Sequence, residues 1–125
     1  MIEQYISHNG ENLWDFEVVA CPDVENINHI HPLKQKDVGY FVESVKKEPH
    51  ILGVIVFGSA VRFDCHSGSD LDLLVIRDDE ELRMEGSLDQ IKSEMDLVFS
   101  FRLGERLKKE IARTGVVVYR RGEHV

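Results

Sequence analysis

Residues 54–76 read VIVFGSAVRFDCHSGSDLDLLVI, and the two ends of this stretch set the fold. Its first part completes Ile51 to Phe57 (ILGVIVF), a nearly continuous apolar, β-branched run bounded by Pro49 and Gly58. Its last part, Leu71 to Ile76 (LDLLVI), has the same character. Apolar runs of this length, bounded by turn residues, predict strands buried on both faces. Between them lie small, polar and charged residues, where chemistry is to be sought.

Three features stand out. The first is Gly58-Ser59 directly after a buried strand. Glycine permits a tight exit and a close backbone approach to a ligand, and backbone N–H groups at a helix start favour an anion. An ordinary turn would read the same way. The second is Asp70-Leu71-Asp72 at a strand start. Residues i and i+2 of a strand share a face, so two carboxylates lie side by side and repel unless one keeps its proton or a cation sits between them. Mg²⁺ suits such a pair, and a solvated strand end is the alternative. The third is Asp96, within the apolar run Met95 to Phe101 (MDLVFSF) that predicts a third strand. An acid there either faces solvent or pairs with the carboxylates of a neighbouring strand. Three carboxylates on one sheet face can hold two metal ions.

Outward from this centre, Asp37 to Lys47 predicts a helix, with Val38, Phe41, Val42 and Val45 on one apolar face and Pro49 as its stop. Pro32 reads as the end of a polar loop that begins at Glu25. Leu13 to Cys21 has strand-like alternation, and Ser87 with Gln90 suggests a short capped helix within the polar stretch 78–94. Leu103, Leu107 and Ile111 mark the buried stripe of a second helix, with Gly115 as its C-terminal glycine and Val116 to Tyr119 as a final strand. The order predicts one α+β domain with a mixed β-sheet, its helices packed on one face, spanning 37–125 behind an N-terminal extension of residues 1–36.

Composition agrees with a single folded domain. The chain has 125 residues, 42% hydrophobic and 30% charged. No apolar run approaches the roughly 20 residues of a membrane span, and Met1-Ile2-Glu3-Gln4 does not open a signal peptide, so a cytoplasmic protein is expected. Two cysteines, Cys21 and Cys65, make no disulfide framework, and free thiols are expected. The net charge of −8 argues against non-specific binding to nucleic acid. From Arg102 onward, however, seven basic residues stand against three acidic ones. That basic end could contact a nucleotide or an acidic partner, or be simply solvated.

The pattern Gly58-Ser59, ten intervening residues, Asp70-x-Asp72 and then Asp96 in a later strand resembles the nucleotidyltransferase superfamily of DNA polymerase beta. The short run DLVFSFRLGERLKKEIARTGVVVY, residues 96–119, resembles the end of its minimal nucleotidyltransferase (MNT) domains. The resemblance covers about residues 38–120 and implies a palm-like nucleotidyltransferase fold. It implies that Gly58, Ser59, Arg62 and Ser69 hold the nucleotide. Asp70, Asp72 and Asp96 would be the catalytic and metal-binding carboxylates for two Mg²⁺ ions, with Asp96 helping to deprotonate an acceptor hydroxyl. That hydroxyl would attack the α-phosphorus of a nucleoside triphosphate, with AMP from ATP the expected transfer. Arg62 could instead pair with Asp64. One departure is Phe63, where the family often has glycine; it cannot copy a glycine at positive φ without strain, so the loop is expected to take a different path.

Other readings are weaker. Cys21, His29, His31, Cys65 and His66 lack the paired spacing of a structural zinc site, and His66 reads either as near the substrate or as an exposed loop residue. Ser59 lacks the G-x-S-x-G elbow of a hydrolase nucleophile. Only 29 residues follow Asp96, so the expectation is that a partner or a second copy supplies the acceptor surface. The resemblance implies a helical HEPN-type protein as that partner. The competing expectation is a non-catalytic, antitoxin-like module that neutralises such a partner by contact alone.

Overall fold

The computed structural model describes residues 24–82, 84 and 88–121. Helix α1 (Pro32–Val45) leads into strand β1 (Ile51–Phe57), a short 3-10 turn (Gly58–Val61), and β2 (Leu71–Arg77). Strand β3 (Met95–Phe99) passes through a 3-10 turn (Ser100–Arg102) into helix α2 (Glu105–Thr114) and strand β4 (Val116–Arg120). The four strands form one mixed sheet in the order β3-β2-β1-β4. Strand β1 is antiparallel to β2 and β4, whereas β2 and β3 run parallel. The chain is therefore α+β, as the element order predicts. Among the described residues no helix is long and apolar enough to cross a membrane.

The apolar stripe of α1 packs as predicted: Val38, Phe41, Val42 and Val45 are all buried against β1, β2 and β4 residues such as Val54, Leu73 and Val116. Burying each such side chain contributes roughly 1.5–3 kcal/mol. Helix α2 covers the opposite face, where Ile111, with Leu103 and Leu107, meets Ile55, Phe57, Leu74, Ile76 and Val117. The helices thus lie one on each face of the sheet, not together on one. The reason is in β1 and β2, whose odd and even positions are both apolar, so each face needs its own cover.

Local boundaries also differ from expectation. Helix α1 starts at Pro32, so this proline opens the helix instead of closing the loop, and the 36/37 boundary falls inside α1. Proline suits a first helical position, where its missing N–H removes nothing. His31 caps the helix, its Nδ1 accepting from the Leu33 N–H at 3.1 Å. Burial and the Lys34 charge hold His31 below its usual pKa, which favours the neutral ring that can accept. Residues Val24, Ile27 and Ile30 join the same core. At the other end, α1 stops four residues before Pro49, and Arg121 accounts for the exit. Its guanidinium donates to the carbonyls of Val45, Lys46, Glu48 and Ile51 at 2.8–3.3 Å.

Gly115 follows α2 as expected, but its φ is −67°, not left-handed. Its role is space: a Cβ there would lie 2.6 Å from the Ile111 carbonyl and 2.8 Å from Ile55 Cγ2. Strand β3 ends at Phe99, where Ser100 Oγ accepts from the Arg77 N–H at 3.2 Å. The described part of 78–94 forms turns, with no helix at 88–90, and Ser87 lies outside the described residues. The strand expected at Leu13 to Cys21 also lies outside them.

Candidate functional site

The site residues gather at one end of the sheet, where β1 finishes and the parallel strands β2 and β3 begin. Phe57 pairs with Asp72 across β1 and β2, and Asp72 pairs with Asp96 across β2 and β3. Register therefore puts the second and third aspartates on adjoining strands at the same level and on the same face. That face is the one α2 covers, because Leu74 and Ile76 continue the alternation from Asp72 into the α2 cluster. Asp70 and Asp96 are exposed and Asp72 is half-buried.

Electrostatics report the same convergence. The Asp72 carboxyl is pushed up to about 6, first by burial and then by the charges of Asp96, Asp70 and Glu110, with Arg62 opposing. Like charges crowd there, and a cation beside them would relieve the repulsion. Glu110 was not legible as a participant from sequence; it lies on α2, and only the packing of that helix onto the Asp72 face brings it near.

The turn after β1 is shaped around Asp72. Gly58 has φ +76°, and a Cβ there would lie 2.1 Å from Asp72 Oδ2. Both the conformation and the contact call for glycine. Ser59 Oγ donates to the Asp70 carbonyl at 3.2 Å, tying the turn to the first aspartate. The turn is a four-residue 3-10 segment, not the start of an α-helix.

Arg62 Nε meets Asp64 Oδ1 at 3.4 Å, with both side chains largely exposed. The alternative reading of Arg62 as an ion-pair partner is thus realised, while its charge still acts on Asp72. Ser69 Oγ accepts from the His66 N–H at 3.1 Å, and His66 Nδ1 accepts from the Gly68 N–H at 3.1 Å. Both side chains fold their own loop. Phe63 is 68% exposed, and its backbone is not at positive φ. The loop therefore takes a path that spares it the glycine conformation. Cys65 is free and buried, and Cys21 lies outside the described residues.

Among the described residues, one trio brings its ligand atoms within 4.8 Å of one another: His50, Asp78 and Asp79. The oxygens of Asp70, Asp72 and Asp96 do not form so tight a group. The trio lies beyond the far end of β2, six residues after Asp72, or about 20 Å along an extended strand. His50 Nδ1 is 2.8 Å from Asp78 Oδ1. Asp79 is already held by Arg77, whose side chain is 5% exposed and whose hydrogen bonds pull the Asp79 carboxyl down to about 2. This acidic group can present oxygens and a ring nitrogen to a cation, but among the described residues the positive-φ glycine is Gly58, at the other end of the sheet.

Helix α2 presents Glu105, Arg106, Lys109, Glu110 and Arg113 to a cleft of about 470 Å³. The basic end of the sequence is thereby divided. Arg106, Lys109 and Arg113 line the cleft, while Arg120 pairs with Glu25 at 3.1 Å and Arg121 caps α1.

The Gly58 turn thus stands against Asp72, and Asp96 lies in register with Asp72 on the neighbouring strand. Comparison with known families agrees: the family described as Polymerase beta, Nucleotidyltransferase matches residues 41–124. The chain belongs to this family. The match takes in β1, the turn, β2, β3, α2 and β4, and it begins within α1. No curated protein sequence matches the chain significantly. Membership in the nucleotidyltransferase family supports transferase activity on nucleotides.

Proposed function

We propose that the chain is a metal-dependent nucleotidyltransferase that moves a nucleoside monophosphate, AMP from ATP, onto a hydroxyl acceptor, with a partner protein as the acceptor's source. The observation that carries this is the pairing of Asp72 with Asp96 in register, beside Asp70 and against Gly58. The donor set fits a hard divalent ion: all-oxygen, with Asp72 raised by burial and then by its acidic neighbours. Asp70, Asp72 and Asp96 would hold magnesium, which when bound neutralises their repulsion and polarises the α-phosphoryl group. The Gly58-Ser59 turn brings backbone N–H groups and a hydroxyl to the triphosphate, and Arg62 and Ser69 lie on the adjoining loop. Asp96, the exposed member of the register pair, takes the proton of the acceptor hydroxyl. The acceptor oxygen then bonds to the α-phosphorus, the bond to the β-phosphate bridge breaks, and pyrophosphate leaves.

A calorimetric titration with ATP, with and without Mg²⁺, tests the reading on wild type and on the Asp70→Asn/Asp72→Asn variant. Binding that needs both metal and carboxylates is the expected result. Folded wild type that binds no ATP at millimolar concentration refutes it.

The second reading is a non-catalytic module that neutralises a HEPN-type partner by contact. It is favoured by one feature, the exposed Phe63 beside the site. The same double variant separates the two: neutralisation that survives it is not catalytic.

A further inference from the structure

Lys34, in the first turn of α1, is 1% exposed. Burying an ammonium group is costly unless its protons all find acceptors. Here three acceptors are provided: the Ser69 carbonyl, Ser93 Oγ at 2.8 Å and the Ser67 carbonyl at 3.4 Å. Ser93 Oγ in turn donates to Asp37 Oδ2 at 2.6 Å. Asp37, one turn along the same helix face, also accepts from the N–H groups of Lys92 at 3.2 Å and Ser93 at 3.1 Å.

These partners belong to two segments far apart in sequence. One, 67–69, immediately precedes Asp70; the other, 92–93, precedes Asp96 by three residues. The Leu71 N–H donates to the Glu94 carbonyl at 2.8 Å, joining the segments where the two parallel strands start. The turn after β1 hangs from the same helix end, because the His31 N–H donates to the Ala60 carbonyl at 2.7 Å. An apolar side chain would pack at position 34 without the desolvation cost. What the ionic network adds is a defined distance between two loops.

We propose that Lys34 is a positioning residue: with Asp37 and Ser93 it sets the spacing of Asp70 and Asp72 against Asp96, and thereby the affinity of the site for a divalent cation. Lys34 acts through these segments and not on substrate. The inference rests on the nucleotidyl-transfer reading for its consequence, and on the hydrogen bonds for its geometry.

The test uses the full chain and four proteins: wild type, Lys34→Met, Ser93→Ala, and Val45→Ala as a destabilised control in the core end of α1. Mn²⁺ binding, alone and with ATP, is measured by calorimetry, and amide hydrogen exchange is followed in the metal-free proteins. Lys34→Met is expected to weaken Mn²⁺ binding about 10-fold or more and Ser93→Ala about 3-fold, while the control stays within about 2-fold. Exchange at 67–71 and 93–96 is expected to quicken together in Lys34→Met and not in the control.

Equal Mn²⁺ effects in Lys34→Met and the control overturn the proposal, as does loosening of one segment without the other. If Lys34→Met does not fold, Ser93→Ala against the control decides on the same criteria. If wild type binds neither Mn²⁺ nor ATP with metal, the nucleotidyl-transfer reading fails. The claim about cation affinity falls with it, while the exchange comparison separately decides the geometry.

Discussion

Replacing Asp72 with asparagine should stabilise the metal-free protein at neutral pH and leave it almost unchanged in acid. The Asp72 carboxyl is raised from 3.8 to about 6 in the fold, chiefly by burial and then by Asp96, Asp70 and Glu110. A raised carboxyl binds its proton more tightly folded than unfolded, so ionising it costs stability. That cost is absent below about pH 3.8, grows as pH rises towards 6, and is complete above it. At 1.36 kcal/mol per pH unit the full displacement would correspond to about 3 kcal/mol, and solvent screening of this half-buried group reduces it to roughly 1–2 kcal/mol. Asparagine keeps the shape without the charge. Urea unfolding in chelator is the assay, with variant and wild type compared at the same pH so that other groups cancel. The expected gain is at most a few tenths of a kcal/mol at pH 3.5 and roughly 1–2 kcal/mol at pH 7.5. Added Mg²⁺ should then stabilise wild type and not the variant. A difference independent of pH, or a loss at pH 7.5, would refute the claim that like charges and burial converge on Asp72.

Two other substitutions probe separate parts of the fold. Gly58→Ala places a Cβ 2.1 Å from Asp72 Oδ2 at φ +76°, and should cost about 1–3 kcal/mol in thermal or urea unfolding and weaken metal-dependent ATP binding; unchanged binding would separate the turn from the site. Arg121→Met strips donors from the carbonyls of Val45, Glu48 and Ile51 and should cost about 1–3 kcal/mol, with faster amide exchange at the end of α1 and no change in ATP affinity.

Much of the fold was legible because its strands carry their own signals. Residues 51–57 and 71–76 are apolar at every second position on both faces or nearly so, and the observed strands begin at the expected Ile51 and Leu71. The stripe of α1 was visible for the same reason. Its start was not, because Lys34 and Gln35 are polar and read as surface, yet both are buried: the Lys34 ammonium donates to three oxygens, and Gln35 Nε2 donates to the carbonyls of Ile27 and Ile30. A charge buried by a network looks, in sequence, like a charge in water. Likewise Arg121 reads as part of a basic tail, and only the return of β4 beside β1 aims it at the end of α1.

The candidate site divides along the same line. The glycine-serine pair, the two aspartates around Leu71 and the aspartate in the next apolar run are local patterns, and the family resemblance follows from their order and spacing. Whether Asp96 meets Asp72 depends on strand order and register, which involve residues 24 positions apart and the parallel pairing of β2 with β3. Which helix covers that face, bringing Glu110 towards the carboxylates and a row of cations to the adjoining cleft, depends on both sheet faces needing cover. Sequence by itself determined the elements and the chemical types, because periodicity and turn chemistry act over a few residues. Tertiary structure alone decided the neighbours, because register, burial and the field at a carboxylate arise only when distant segments are brought within a few ångströms.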